Sequence, residues 1–103
     1  MDDGTRHGDL PDGLERARTT DEFTASTVPA GLLRTHRIAT GVWGRLRVRA
    51  GRLRFVWEGD DAPPPVDLGP GDSLVVPPDR PHRVEPDTDV RFVIEFHRPP
   101  DPT

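Results

Sequence analysis

An all-β fold is predicted for this chain by three observations. Apolar residues recur at short spacing in six or more segments of about five to eight residues, most of them alternating with charged ones. Ten glycines and thirteen prolines among 103 residues cut those segments apart. No stretch between Phe23 and Arg98 has helical periodicity, so the pattern is that of an antiparallel sandwich or barrel in a single domain.

Residues 1–22 stand apart from that pattern. They hold seven acids and three arginines, a net charge of −4 that equals the net charge of the whole chain. With Gly4, Gly8, Pro11 and Gly13 breaking any period, a disordered acidic tail is expected, with His7 solvated in it. Phe23, Val28 and Pro29 read as an arm docking on the domain of residues 23–98. Leu32–Ile38, LLRTHRI, reads as a strand with Leu32, Arg34, His36 and Ile38 on one face. Trp43–Ala50 alternates Leu46 and Val48 against Arg45, Arg47 and Arg49, and after Gly51 Leu53, Phe55 and Trp57 alternate in the same way. The two runs read as an antiparallel hairpin with one buried face and a solvated row of arginines. Residues 59–67 are expected to form a loop because Pro63, Pro64 and Pro65 oppose pairing. Leu74, Val75 and Val76 read as a buried strand, His82 opens another after the Pro77–Pro81 turn, and Val90–His97 is the last. Pro99, Pro100 and Pro102 then give a short tail over residues 99–103.

Composition excludes several functions. Outside the tail, arginines and acids balance, which leaves no electrostatic footprint for nucleic acid. There is no cysteine, hence neither a disulfide framework nor a thiolate metal site. No apolar run approaches the roughly 20 residues of a membrane helix, and no leader pattern opens the chain. A cytoplasmic protein with no nucleic-acid or membrane partner is expected.

The most informative stretch is Gly71–Pro86, GDSLVVPPDRPHRVEP. Gly71 is followed after five residues by Pro77, then by Asp79, after two more by His82 and after three more by Pro86. This spacing resembles the second motif of the cupin superfamily, which has Gly and Asn where this chain has Asp79 and Pro86. Asp tolerates left-handed backbone, so the first departure is mild. The order AGLLRTHR, GVWGRLRVRAGRLRF, PPDRPHRVEP and VRFVIEFHR also resembles the TehB/YeaR-like domain family, small cupin-type proteins that occur alone or fused to tellurite-resistance methyltransferases. The resemblance implies a cupin-like double-stranded β-helix, that is, a jelly-roll barrel. It leaves no room in 103 residues for a methyltransferase portion. It implies a homodimer, since cupin-like barrels often dimerise, and a role in tellurite or other oxyanion stress.

Cupins bind a divalent metal through histidines and a glutamate, most of them in a first motif. Aligned on Gly51, that motif would need its Glu at position 44 and histidines near 37–40, where this chain has Gly44, Arg37, Ile38, Ala39 and Thr40. His36, His82 and Glu95 remain as a two-histidine, one-carboxylate set suited to zinc or iron(II), and also to manganese or nickel. Arg34, on the face of His36, is expected beside the open position, where it would contact a small-molecule ligand. With no metal, the same arginine would pair with Glu95. Phe92, Ile94 and Phe96 compete with Glu95 for the inward face of the last strand. His97, Arg83 and Glu85 are expected at the surface, and Trp43 and Trp57 in the core or at its rim. No motif names a catalytic residue, a substrate or a turnover. The alternative to a metal-binding protein that holds or transforms a small anion is a metal-free module for small-molecule binding, or for interaction or dimerisation, without catalysis.

Overall fold

The computed structural model describes residues 4–101. Nine strands and one short 3-10 helix follow one another: β1 (Arg6–His7), β2 (Glu15–Thr19), β3 (Phe23–Thr24), the 3-10 turn Ala30–Leu33, β4 (Trp43–Ala50), β5 (Leu53–Trp57), β6 (Val66–Leu68), β7 (Ser73–Val76), β8 (His82–Pro86) and β9 (Arg91–Arg98). They form two sheets. One runs β1-β7-β4-β9-β2, with β3 also on β9, and the other runs β6-β5-β8. All pairs are antiparallel except β1 with β7.

The strand content agrees with the sequence, and the closed jelly-roll barrel does not. Two separate sheets face each other across a core of Leu46, Val48, Leu53, Phe55, Leu68, Leu74, Val76, Val84, Val90, Phe92 and Ile94, and no continuous ladder among the described residues joins their edges. The seam is left open where Leu32–Ile38 was expected as a strand. That segment makes the 3-10 turn instead and touches β8 only through an isolated bridge, in which the N–H groups of His36 and His82 each donate to the other's carbonyl. On one side of the bridge Pro81 has no N–H to donate, and on the other the chain is in the 3-10 turn Ala30–Leu33. Asp79, held at a left-handed φ of 65° as its position suggested, sends its N–H to the Ile38 carbonyl.

β4 and β5 have nearly the boundaries that alternation gives them, but they are not a hairpin. β4 pairs with β7 and β9, while β5 pairs with β6 and β8 in the opposite sheet. Gly51 is the corner between them. Its φ is 68°, and a Cβ there would sit 2.5 Å from the Asp89 carbonyl carbon, so only glycine lets the chain cross at this point. β6 forms just after the three prolines, in residues expected to be loop.

The segment read as a disordered tail contains two strands. β1 lies parallel on β7, placing His7 opposite Leu74, and β2 pairs with the last strand. The Asp72 carboxylate fixes the first of these by accepting the Thr5 and Gly69 N–H groups at 2.7 and 2.8 Å. Residues 8–14 must then cross from one edge of the large sheet to the other, and Gly8 sits over Val75 on its outer face. Val75, Val93 and Glu95 are buried although they point away from the core, and Gly8 covers the first of them. Met1–Asp3 of the tail, and residues 102–103, lie outside the described residues. The arm docks as expected: Phe23 meets the Phe92 ring edge-on at 5.5 Å, and Val28 packs on the core. No helix among the described residues is long and apolar enough to cross a membrane.

Candidate functional site

The open seam becomes a cavity of about 450 Å³ between the two sheets. Leu46, Phe55, Val76, Val84, Ile94 and Phe96 wall it, so it is an extension of the apolar core. His36 and His82 supply the polar groups of its interior. Arg18, Arg37 and Arg98 also line it and are themselves exposed, which places them at the mouth.

Each histidine is oriented by its own backbone. His82 Nδ1 lies 2.8 Å from the Arg80 carbonyl and His36 Nδ1 lies 3.0 Å from the Arg34 carbonyl. A carbonyl can only accept, so both Nδ1 atoms donate, and in the neutral rings the lone pair is left on Nε2. Neither Nε2 has a hydrogen-bond partner among the described residues. The rings meet edge-on with centroids 4.2 Å apart, and His82 also stacks on Phe55 at 5.1 Å. Burial pulls the His82 pKa down to about 4, against a smaller opposing effect of the hydrogen bond to the Arg80 carbonyl, so the ring is neutral at pH 7.

The turn before His82 gives it little freedom. Arg80 stacks its guanidinium on Trp57 at 4.1 Å, and Thr40 donates to the Asp79 carboxylate at 2.9 Å. The Thr40–Asp79 bond, with the Asp79 N–H on the Ile38 carbonyl, ties the 36–40 segment to the turn, so the two histidines are positioned together. This follows from the stiff Pro77–Pro81 run.

The other two expected site residues are elsewhere. Glu95 is nearly buried, with 8% of its surface exposed, but on the outer face of the large sheet. Phe92 and Ile94 take the inward side of β9, and Glu95 pairs with Arg47 at 2.7 Å and accepts from His97 Nε2 at 3.3 Å. His97 is therefore not the surface residue its place near a strand end suggests. Arg34 is exposed and does not line the cavity; it contributes only the carbonyl that holds His36. The Arg34–Glu95 pair does not form. Arg83, half-buried, pairs with Glu85 and Glu58.

The structure thus brings together two of the three expected metal ligands. No group of three or more histidine, cysteine, aspartate or glutamate side chains able to hold a metal occurs among the described residues. The residues present do not fit a resident metal of the two-histidine, one-carboxylate kind. What they can do is accept hydrogen bonds from the cavity interior and offer positive charge at its entrance. The arginines at the mouth were missed in the sequence because Arg18 falls in the presumed tail and Arg37 in the presumed strand.

An open two-sheet β domain with an apolar, histidine-bearing cavity is the class of protein that fold and site define. The TehB-like domain model matches residues 18–94, about three quarters of the chain, and the chain belongs to that family. His36 and His82 lie inside the matched span and Glu95 just beyond it. Among solved structures, the chain is similar to a protein of E.coli (strain K12), with 27% identity, a TM-score of 0.81, and coverage of 90% of this chain and 98% of that one. It is also similar in fold to TehB from Haemophilus influenzae, with 24% identity and a TM-score of 0.78 over 85% of this chain. The match covers 32% of that TehB chain. No curated protein matches the chain.

Proposed function

We propose that this TehB-like domain binds a small anionic molecule in the cavity between its sheets, in a role related to tellurite-type oxyanion stress. The observation that carries the reading is the cavity itself. An apolar space of about 450 Å³ contains two oriented imidazoles with unpartnered Nε2 atoms and has arginines at its entrance. Sites for small molecules are mostly apolar, preformed and fitted with a few convergent polar groups. His36 and His82 orient the occupant by accepting from it, the aliphatic walls exclude water, and the arginines attract it. The role in oxyanion stress rests on family membership alone.

A second reading adds a divalent metal held by the two Nε2 atoms. It is favoured by the Nδ1–carbonyl bonds, because a ligating histidine commonly donates its other ring N–H to a backbone carbonyl. Thermal unfolding of chelator-stripped protein tests both readings, with zinc, iron(II), manganese or nickel and with small organic or inorganic anions, beside His82→Ala. An occupant at about 1,000 times its dissociation constant should stabilise by roughly 4 kcal/mol. A rise of more than about 10 °C follows for a domain of this size, and it should vanish in the variant. An anion-induced rise supports the first reading and a metal-induced rise the second; no rise with any of them removes both.

A further inference from the structure

The mouth and the interior of the cavity differ in chemistry, and the difference names a class of occupant. Arg37 and Arg98 line the mouth and form no ion pair among the described residues, whereas Arg47, Arg54, Arg83 and Arg91 all have carboxylate partners. Arg18 beside them is fixed over the Phe96 ring at 5.2 Å. Arg37 and Arg98 thus place positive charge where the cavity meets solvent, and no carboxylate among the described residues pairs with them there. Behind the mouth the walls are aliphatic and aromatic. Buried, neutral His82 turns an acceptor Nε2 to the interior, beside His36, whose Nδ1 is likewise held by a backbone carbonyl.

A bare inorganic oxyanion does not suit this arrangement. Inside, it would be stripped of water against walls that offer no compensating donors, which is costly for any ion. At the mouth it would leave the apolar volume unused. That volume falls within the roughly 300–1,000 Å³ of sites for organic ligands.

We propose that the cavity binds an amphipathic organic anion, whose apolar body fills the space between the sheets, whose anionic group sits at Arg37 and Arg98, and whose buried end donates a hydrogen bond to the His36/His82 pair. This rests on the reading of the cavity as the ligand site and specifies what enters it. A guanidinium takes a carboxylate in a two-pronged hydrogen-bonded pair, so a carboxylate is the natural anionic group.

Titration calorimetry with 6-hydroxy-2-naphthoate, 2-naphthol and tellurite tests the proposal, on the whole chain at pH 7. The hydroxynaphthoate carries carboxylate, apolar body and donor; naphthol lacks the carboxylate; tellurite lacks the body. The hydroxynaphthoate should bind at least tenfold more tightly than naphthol, and tellurite should not displace it. The double variant Arg37→Ala, Arg98→Ala, both at exposed positions, should bring its affinity down to that of naphthol. Val42→Trp, a filling substitution on the cavity lining, should abolish binding of both aromatic probes. Equal affinity for acid and naphthol, with no effect of the arginine variant, overturns the assignment of the anion to the mouth while leaving a cavity that binds ligands. Tellurite binding that is lost in Val42→Trp, without hydroxynaphthoate binding, overturns the organic class but keeps the site. If none of the three probes binds, both the inference and the ligand site fail.

Discussion

His82 is neutral because burial outweighs its hydrogen bond to the Arg80 carbonyl, and this gives stability a defined pH dependence. Its pKa is about 4 in the folded chain against 6.5 when unfolded, so between those values the unfolded state binds more protons. The stability is complete above about pH 6.5, declines as pH falls through that window and levels off below about 4. Urea unfolding at stepped pH should show a loss on the order of 1–2 kcal/mol over this range, the value expected once partial hydration through the cavity is allowed for. His82→Gln should lack that part of the slope, and an unchanged slope in the variant would refute the assignment. Glu95 tests the other face. Glu95→Ala leaves the His97 Nε2 and the half-exposed Arg47 without their partner, and should cost about 1–2 kcal/mol in urea unfolding. It should leave binding in the cavity unchanged, since Glu95 does not face it; loss of binding would return Glu95 to the site. At this scale the sequence put His36 and His82 inward, where both line the cavity, His82 through the proline-stiffened turn and its apolar neighbours and His36 through a strand period that residues 34–38 do not follow. It read Arg34 poorly, because a two-residue period holds only inside a strand and residues 34–38 do not form one.

The strands themselves were legible where alternation or a short apolar run marks them: β4, β5, β7, β8 and β9 fall within a residue or two of expectation. Their partners were not. Alternation says which face of a strand is apolar, but not which neighbour it pairs with, so the run through Ala50, Gly51 and Arg52 looked like a hairpin and is a corner between sheets. Gly51→Ala checks the corner. With φ at 68° and Asp89 backbone 2.5 Å from the new Cβ, it should cost about 2–3 kcal/mol and lower the melting temperature accordingly. A change below about 0.5 kcal/mol, the range of neutral surface substitutions, would argue against the crossing. β1 and β2 escaped notice because they are short, polar and exposed, and their pairing depends on backbone bonds and on Asp72 rather than on apolar burial. Two backbone N–H groups hold the Asp72 carboxyl below the usual carboxylate range, with Gly69 the stronger influence. Asp72→Ala should therefore release β1, seen as faster amide exchange at residues 5–7 with protection of β9 unchanged. Equal exchange in variant and wild type would remove Asp72 from that role.

In the whole molecule, the missing stretch of ladder and the cavity are one feature. A continuous strand through residues 32–38 would have paired along β8 and brought the sheets towards closure. Instead a single bridge at His36 and His82 leaves an opening lined by core residues. The expectation of a jelly roll took its spacing argument from Gly71–Pro86, and that spacing describes a turn and the strands beside it. It carries no information on whether distant edges meet. The histidine-bearing cavity is thus a product of the topology; of the polar residues lining it, the sequence singled out His36 and His82 and missed Arg18, Arg37 and Arg98.

Binding in the cavity depends most on the two imidazoles directing Nε2, with Nδ1 held by backbone, to an accessible interior. Long-range proton–nitrogen NMR of histidine-labelled protein at pH 7 measures this directly, before and after adding 6-hydroxy-2-naphthoate. The expected spectrum shows both rings protonated at Nδ1 and His82 neutral, with both Nε2 signals moving on addition while His7 and His97 stay in place. Rings protonated at Nε2, or Nε2 signals indifferent to any added anion or metal, would contradict it.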